Sequence, residues 1–225
     1  MSFHECIKAY PEGSSSLSRY AWVAKRLGYS GLIVCNVDPE GIFRPEAAES
    51  IRGIDLEIGA EVTAATPRSL RDRTSRLRRR YPFLMVRATR EDQIRAACED
   101  PNIDMLLLTC DGHRPLDIAS ARSAASSRVA IGFDLGPMIR LRGRARVRWL
   151  ESVVHALTLA RKLDLELAIT AAPRSHLDLR APRDLLALAE VAGFEPDEAK
   201  RALICPGRLL EQNRRKWAGP GVEVL

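Results

Sequence analysis

The sequence predicts a (β/α)8 barrel, and three observations carry that expectation. Short apolar runs recur from end to end of the 225 residues, and amphipathic helical segments separate them. Each run is apolar nearly throughout, as strands buried on both faces of a parallel sheet are. The alternation repeats eight times, which is the pattern of a closed parallel barrel. An open doubly wound sheet is the competing architecture. It usually carries a glycine-rich turn after its first strand to hold a phosphate ligand, and none follows the first strand here.

The strand candidates are Phe3–Ala9, Gly31–Asn36, Asp55–Thr63, Phe83–Ala88, Met105–Cys110, Val129–Leu135, Leu165–Ala171 and Arg201–Cys205. The first helix, Ser16–Leu27, stops at Gly28. Pro45–Ile51 opens with a proline at a first-turn position, where the missing N–H costs nothing. Ser69–Arg80, Arg90–Glu99, Ile118–Ser126 and the long Arg144–Leu163 follow. Pro182–Ala192 ends at Gly193, and Gly207–Arg215 comes last. No repeat or long Pro/Gly/Ser linker divides the chain, so residues 1–215 read as one domain. The last ten residues, KWAGPGVEVL, contain a Gly-Pro-Gly turn and read as a flexible tail, 216–225, leaving the compact body.

Hydrophobic residues make up 46% of the chain, enough to fill a core without metal or disulfide. The five cysteines form no CxxC pair, and an odd number without a secretory start fits a reducing, cytoplasmic interior. No apolar run approaches the roughly 20 residues of a membrane helix. The net charge is +6. A basic balance favours an anionic partner, nucleic acid above all. Lysine stands only at positions 8, 25, 162, 200 and 216, so arginine supplies most of the charge. Arginine forks onto phosphate oxygens and stacks on bases. A GC-rich genome gives the same bias without any ligand.

Three basic sites stand out. Arg68, Arg71, Arg73, Arg76, Arg78, Arg79 and Arg80 crowd one helical segment, with Asp72 the only acid among them. On a helix Arg68 with Arg71, and Arg76 with Arg79 and Arg80, share faces while Leu70 and Leu77 turn inward. Such a cluster repels itself unless an anion meets it, or it is simply a solvated outer face. Arg140, Arg142, Arg144, Arg146 and Arg148 follow a strand and run into the long helix. In a barrel that is the end where ligands bind, and a helix N-terminus adds affinity for phosphate. The third is Arg180-Ala181-Pro182-Arg183-Asp184-Leu185, where Pro182 suits a first turn and Asp184 meets the positive helix end. The four histidines, His4, His113, His155 and His176, show no HxH or HxxxH spacing. Asp111, Asp134 and Asp178 lie near strand ends, without a geometry that sequence can fix.

The second half resembles a known family. The residues are Val129–Pro137 (VAIGFDLGP), Arg144 and the helix to Leu163, Leu167–Thr170 (LAIT), Leu179–Leu185 (LRAPRDL), Leu188–Gly193, Glu198–Ala202 (EAKRA) and Pro206. They are similar to the archaeal and eukaryotic ribonuclease P component 3 family. The R-x-P-R-D-L element is the most specific part, and before Val129 the likeness rests on strand order and the Leu27–Gly31 turn. The resemblance implies a TIM-like barrel related to the PHP phosphoesterases. It implies a protein that assists removal of the 5′ leader from precursor tRNA, with the RNA subunit and Mg²⁺ as the catalyst. The ferredoxin-like component 2 is the implied protein partner, and no cofactor or metal is expected in the protein itself.

On this reading no residue is catalytic. RNA contact is expected from Arg140, Arg142, Arg144, Arg146, Arg180, Arg183, Lys200, Arg68, Arg76 and Arg79, with Asp184 orienting Arg180. One departure is that Gly136 stands where the family often has arginine, and Arg140 is the candidate substitute. Two enzymes compete with this reading. A PHP-type phosphoesterase needs histidines and acids converging on metals, usually opening with HxH, whereas the first strand offers His4-Glu5-Cys6. A barrel enzyme for a small phosphorylated substrate would use the Arg140–Arg148 loop as an anion clamp in a closed pocket.

Overall fold

A computed structural model describes residues 2–42, 53–110, 116–219 and 222–223. The expected helix at Pro45–Ile51, with Asp111 and His113, lies outside them. The chain runs β1 (His4–Ile7), α1 (Leu17–Leu27), β2 (Gly31–Val34), β3 (Asp55–Ile58), β4 (Ala60–Val62), α2 (Pro67–Arg78), β5 (Leu84–Ala88) and α3 (Glu91–Cys98). It continues through β6 (Met105–Leu108), α4 (Ile118–Ser127), β7 (Ala130–Asp134), α5 (Gly136–Arg140), α6 (Gly143–Lys162), β8 (Leu167–Thr170), α7 (Pro182–Val191) and α8 (Pro196–Lys216).

The first eight strands go round a barrel in chain order, all parallel. β1–β2–β3 form one sheet and β4 through β8 the other. The seams are short. Glu61 N–H donates to the Asn36 carbonyl (3.0 Å), and Lys8 N–H donates to Pro173 just past β8 (3.1 Å). The run 55–63, expected as one strand, breaks at Gly59. A side chain there would meet the Phe83 carbonyl at 2.6 Å. The break lets β3 pair with β2 while β4 pairs with β5. The interior is filled by alternate residues such as Cys6, Ile33, Phe83, Met85, Met105, Leu107 and Ala168. The faces between strands and helices are filled by Leu, Ile, Val and Ala, with Phe133 set edge-on to Phe194 at 5.3 Å.

The expected strand at Arg201–Cys205 is instead part of α8, as is the separate helix expected from Gly207. The apolar residues that look like a strand are the inner face of a helix: Ala202, Leu203, Cys205, Leu209 and Leu210 are all buried, at helical spacing. α8 lies across the end of the barrel where the strands begin. Cys205, Leu209 and Leu210 pack onto the interior residues. Asn213 Nδ2 donates to Pro82 O (2.8 Å) and Asp104 Oδ1 (2.7 Å), and Arg214 grips Asp55 and Glu57. This closes the N-terminal end and leaves the C-terminal end to the loops. Past α8, Trp217–Gly219 and Val222–Glu223 pair as two short antiparallel strands, β9 and β10, where the sequence reading put a tail. Among the described residues no helix is long and apolar enough to cross a membrane.

Candidate nucleic-acid interface

The strand ends at the C-terminal mouth carry a chain of buried charges. Lys8 Nζ, at the end of β1, lies 3.1 Å from Glu12 and 3.2 Å from Glu61 on β4. Arg87 on β5 lies 3.5 Å from Glu61 and 3.3 Å from Asp134 on β7. Asp134 in turn faces Arg140 at 3.9 Å. Burial pushes the Asp134 carboxyl above its usual range, against the pull of Arg87, the Gly136 N–H and Arg140. Glu61 Oε2 and Arg87 Nε are charge-paired without a hydrogen bond. Three carboxylates thus converge, but Lys8 and Arg87 stand between them. A metal held by these three carboxylates would have to displace two internal cations, so the described part of the mouth does not suit the metal cluster of a phosphoesterase. Among the described residues no three His, Cys, Asp or Glu side chains are grouped to hold a metal.

Asp134 also shapes the loop that follows. Its Oδ1 accepts the Gly136 N–H at 2.8 Å, which starts α5. The Arg140 guanidinium lies directly over Gly136, where a Cβ would come within 2.4 Å of it. The space left by glycine is therefore occupied by the arginine one turn later, as the sequence reading allowed. The chain then turns at Leu141–Arg142 into α6, whose first turn has neither a side-chain cap nor an acid. Arg142, Arg144 and Arg148 are exposed and make no ion pair among the described residues. Arg146 is half-buried and donates to the Leu141 carbonyl (2.9 Å), bracing the loop.

The other basic cluster is used differently. On α2, Arg73 donates to the Thr63 carbonyl (3.0 Å), and Arg78 pairs with buried Asp104 and the Asn102 and Pro82 carbonyls. Arg71 pairs with Glu99, and Arg80 with Glu40. Arg68, Arg76 and Arg79 remain exposed, without ion pairs among the described residues.

Arg183 and Lys200 lie away from the mouth. Arg183 lines a 530 Å³ groove beside Phe3 and Gly28, residues that precede β1 and β2, so it faces the N-terminal end. Lys200 pairs with Asp197 on α8 at 3.3 Å. The partner expected for Arg180 was Asp184. In the structure Arg180 Nη1 donates to the Leu177 (3.0 Å) and Leu179 (2.9 Å) carbonyls, and Asp184 lies 3.5 Å from Arg183. The helix start at Pro182 turns Asp184 toward its neighbour rather than back. His4 sits against Asp55 (3.3 Å) at the N-terminal end, and His176 against Ser15 (2.8 Å), as packing residues.

Sequence reasoning missed Lys8, Glu61 and Arg87. The only signal was a charge inside or just after an apolar run, and their pairing crosses β1, β4, β5 and β7.

Comparison with known proteins is decisive for the family. A family model described as RNase P subunit p30 matches residues 1–218. Ribonuclease P protein component 3 of Methanosarcina mazei is 34% identical over 224 residues, covering 98% of this chain and 94% of that protein. The same component of Methanosarcina barkeri is 34% identical over 227 residues, with the same coverage. Among solved structures, a chain of archaeal ribonuclease P with mature tRNA, determined by cryo-EM, matches the fold at a TM-score of 0.81 and 21% identity. That match spans 99% of this chain and 97% of that one.

Proposed function

The chain belongs to the RNase P subunit p30 family, and we propose that it binds the RNA of ribonuclease P through the arginine loop at its barrel mouth. In that role it assists removal of the 5′ leader from precursor tRNA. The observation that carries the assignment is the family match over nearly the whole chain. The arginine loop gives it a physical site. Arg142, Arg144 and Arg148 are exposed, with no ion pair among the described residues, and they flank a helix start without a side-chain cap. Phosphate oxygens satisfy both the free N–H groups and the guanidinium forks. Arg140, held near Asp134, and Arg146, held by Leu141, set the loop's shape.

The chemistry belongs to the RNA and its Mg²⁺, and the protein contributes charge and positioning. Among the described residues, the mouth carboxylates Glu61 and Asp134 are paired with Lys8 and Arg87. The ferredoxin-like component 2 is the protein partner in this reading, and the cytoplasm its compartment. Arg68, Arg76 and Arg79 give a second, weaker contact to phosphate, and Arg180, Arg183 and Lys200 a third.

The test is reconstitution with a ribonuclease P RNA and component 2, reading leader cleavage from precursor tRNA. The protein should stimulate the RNA and cleave nothing by itself at any Mg²⁺ concentration. Cleavage by RNA-free protein, lost on changing His4, would overturn the assignment.

A further inference from the structure

The flank formed by α1 is made of residues that the arginine loop does not explain. α1 reads LSRYAWVAKRL and contains no acid. Leu17, Tyr20, Ala21 and Ala24 face the barrel. The opposite face presents Arg19, Trp22 and Arg26 at positions i, i+3 and i+7, which is one stripe of a helix. Trp22 is 59% exposed, and the Arg26 guanidinium sits 4.5 Å from its ring centroid. Above the start of α1, Tyr10 is 60% exposed. Its N–H donates to the Ser15 carbonyl (2.9 Å), and Ser14 N–H donates to the Arg174 carbonyl (2.7 Å), which brings Arg174 alongside. Among the residues whose side chains are described, Tyr10 and Trp22 are the large exposed aromatics. Arg19 and Arg174 are exposed, with no ion pair among those residues. At its lower end the stripe opens into the 530 Å³ groove that Arg26 shares with Arg183.

Exposed aromatics between unneutralised arginines are what a flexible polyanion with stacking bases requires. The arginines meet phosphates, and the rings take bases whose faces no partner strand covers. A duplex offers the phosphates but not the open base faces. Trp and Arg also anchor protein interfaces. Here every charged residue of α1 is basic, which suits a polyanion better than a mixed protein surface. We propose that the α1 flank is a track for unpaired RNA nucleotides, with Tyr10 and Trp22 as stacking platforms and Arg19, Arg26 and Arg174 as phosphate contacts. It rests on the reading of the chain as an RNA-binding subunit and adds a second surface, of different specificity, to the arginine loop.

The experiment compares binding of a fluorescein-labelled oligouridylate and of a duplex RNA by the full chain. Trp22→Ala should weaken single-strand binding about tenfold while leaving the salt slope unchanged, because a stacked base is lost and no phosphate contact. Trp22→Phe should retain most of the affinity. Arg19→Ala with Arg26→Ala should flatten the log–log salt slope by about 1.4, at roughly 0.7 per single-strand contact. Duplex binding should be insensitive to Trp22. The proposal is overturned if Trp22→Ala binds oligouridylate as the wild type does. It is equally overturned if that variant loses affinity for component 2 with RNA binding intact, which would make the flank a protein interface. If Trp22→Ala lowers the thermal midpoint by more than a few degrees, Trp22→Phe and the arginine pair decide. Stimulation of leader cleavage by wild-type protein is read separately. Stimulation retained with Trp22→Ala binding normally sinks the track alone, and no stimulation by the wild type sinks the ribonuclease P reading instead.

Discussion

In α2 and the turn after it, Arg71, Arg73, Arg78 and Arg80 aim their guanidinium groups at the protein's own oxygens. In the segment from Arg140 to Arg148, two of the five arginines do so. As sequences the two look alike, and the first is the denser. The difference lies in what surrounds them. α2 packs beside α3 and runs down to the start of β6, where Glu99, Asn102 and Asp104 supply acceptors. The α5–α6 turn projects from the mouth, where Asp134 is the acid that meets one of these arginines among the described residues, and Arg87 already shares it. Arginine density therefore measures binding capacity only after internal acceptors are subtracted. Acceptors 3 to 40 residues away in sequence do the subtracting on α2 and the turn after it.

The largest expected effect tests the committed side of this contrast. Arg78→Ala removes the partner of Asp104, which is buried and also accepts the Leu84 N–H and an Asn213 amide hydrogen. Breaking such a pair from one side costs about 3–5 kcal/mol, because the other charge stays buried. Urea unfolding should show a loss of that size at pH 7, with RNA affinity of the folded variant intact. Burial already pushes the Asp104 carboxyl up, so the deficit should shrink as acid neutralises it. A loss below about 1 kcal/mol would mean that Arg78 is a surface charge after all.

Glu5 is a committed charge of another kind. It is buried under Tyr29 and Thr170, and burial raises its carboxyl from 4.5 to about 7, with Asp134 adding to the rise. A carboxyl that binds its proton more tightly when folded contributes stability fully below pH 4.5, and that contribution is lost as pH rises through 7. A shift of this size corresponds to about 3 kcal/mol. Stability of the wild type relative to Glu5→Gln should therefore fall by most of that amount between pH 5 and pH 8. A difference that stays flat across this range would place Glu5 in an ordinary ionised state.

The uncommitted side is tested with RNA. Neutralising Arg142, Arg144 and Arg148 together should flatten the salt dependence of RNA binding by roughly 2, at about 0.7–0.9 per phosphate contact. Neutralising Arg71, Arg73 and Arg80 should change it by less than one contact, since those arginines are occupied. Arg68, Arg76 and Arg79 should fall between. Equal slopes for the first two triples would break the comparison, because internal pairing would then not predict availability.

Much of the barrel was legible because its signal is local. β1, β2, β5, β6, β7 and β8 fall within the apolar runs that announce them, and Pro182 and Gly28 mark real helix boundaries. The failures come from non-local causes. Nothing in the continuous run 55–63 shows that Gly59 must slip past the Phe83 carbonyl. The segment Arg201–Cys205 is apolar because α8 plugs the barrel, and a short apolar run reads alike as strand or buried helix. The site divides in the same way. Arg142 and Arg144 follow from one strand–loop–helix junction, whereas the Lys8–Glu61–Arg87–Asp134 chain needs four strands brought to one rim. Trp22 was within reach, since Tyr20, Ala21 and Ala24 mark the inner face of α1 and leave it outside.

The smallest effect is expected at Arg180 and Asp184, which sequence spacing made partners across a first helical turn. Arg180 is half-buried and held by two backbone carbonyls, at 3.0 and 2.9 Å, that no side-chain substitution removes. Its own carbonyl accepts from Tyr29 Oη at 2.7 Å, which fixes the backbone beneath it. Asp184 lies at the surface near Arg183, which is 89% exposed on its side chain, so their attraction is screened by water and salt. Asp184→Asn should then cost ~0–1 kcal/mol in stability, chiefly through the favourable position of a carboxylate in the first turn of α7. Arg180→Ala should cost more, since it empties two hydrogen-bond acceptors. A double-mutant cycle read as stimulation of ribonuclease P RNA should come out additive within about 0.5 kcal/mol. A coupling above 1 kcal/mol would mean that bound RNA draws Arg180 off its carbonyls and onto Asp184. The start of α7 would then belong with the arginine loop, as a surface whose charges are set by the ligand rather than by the fold.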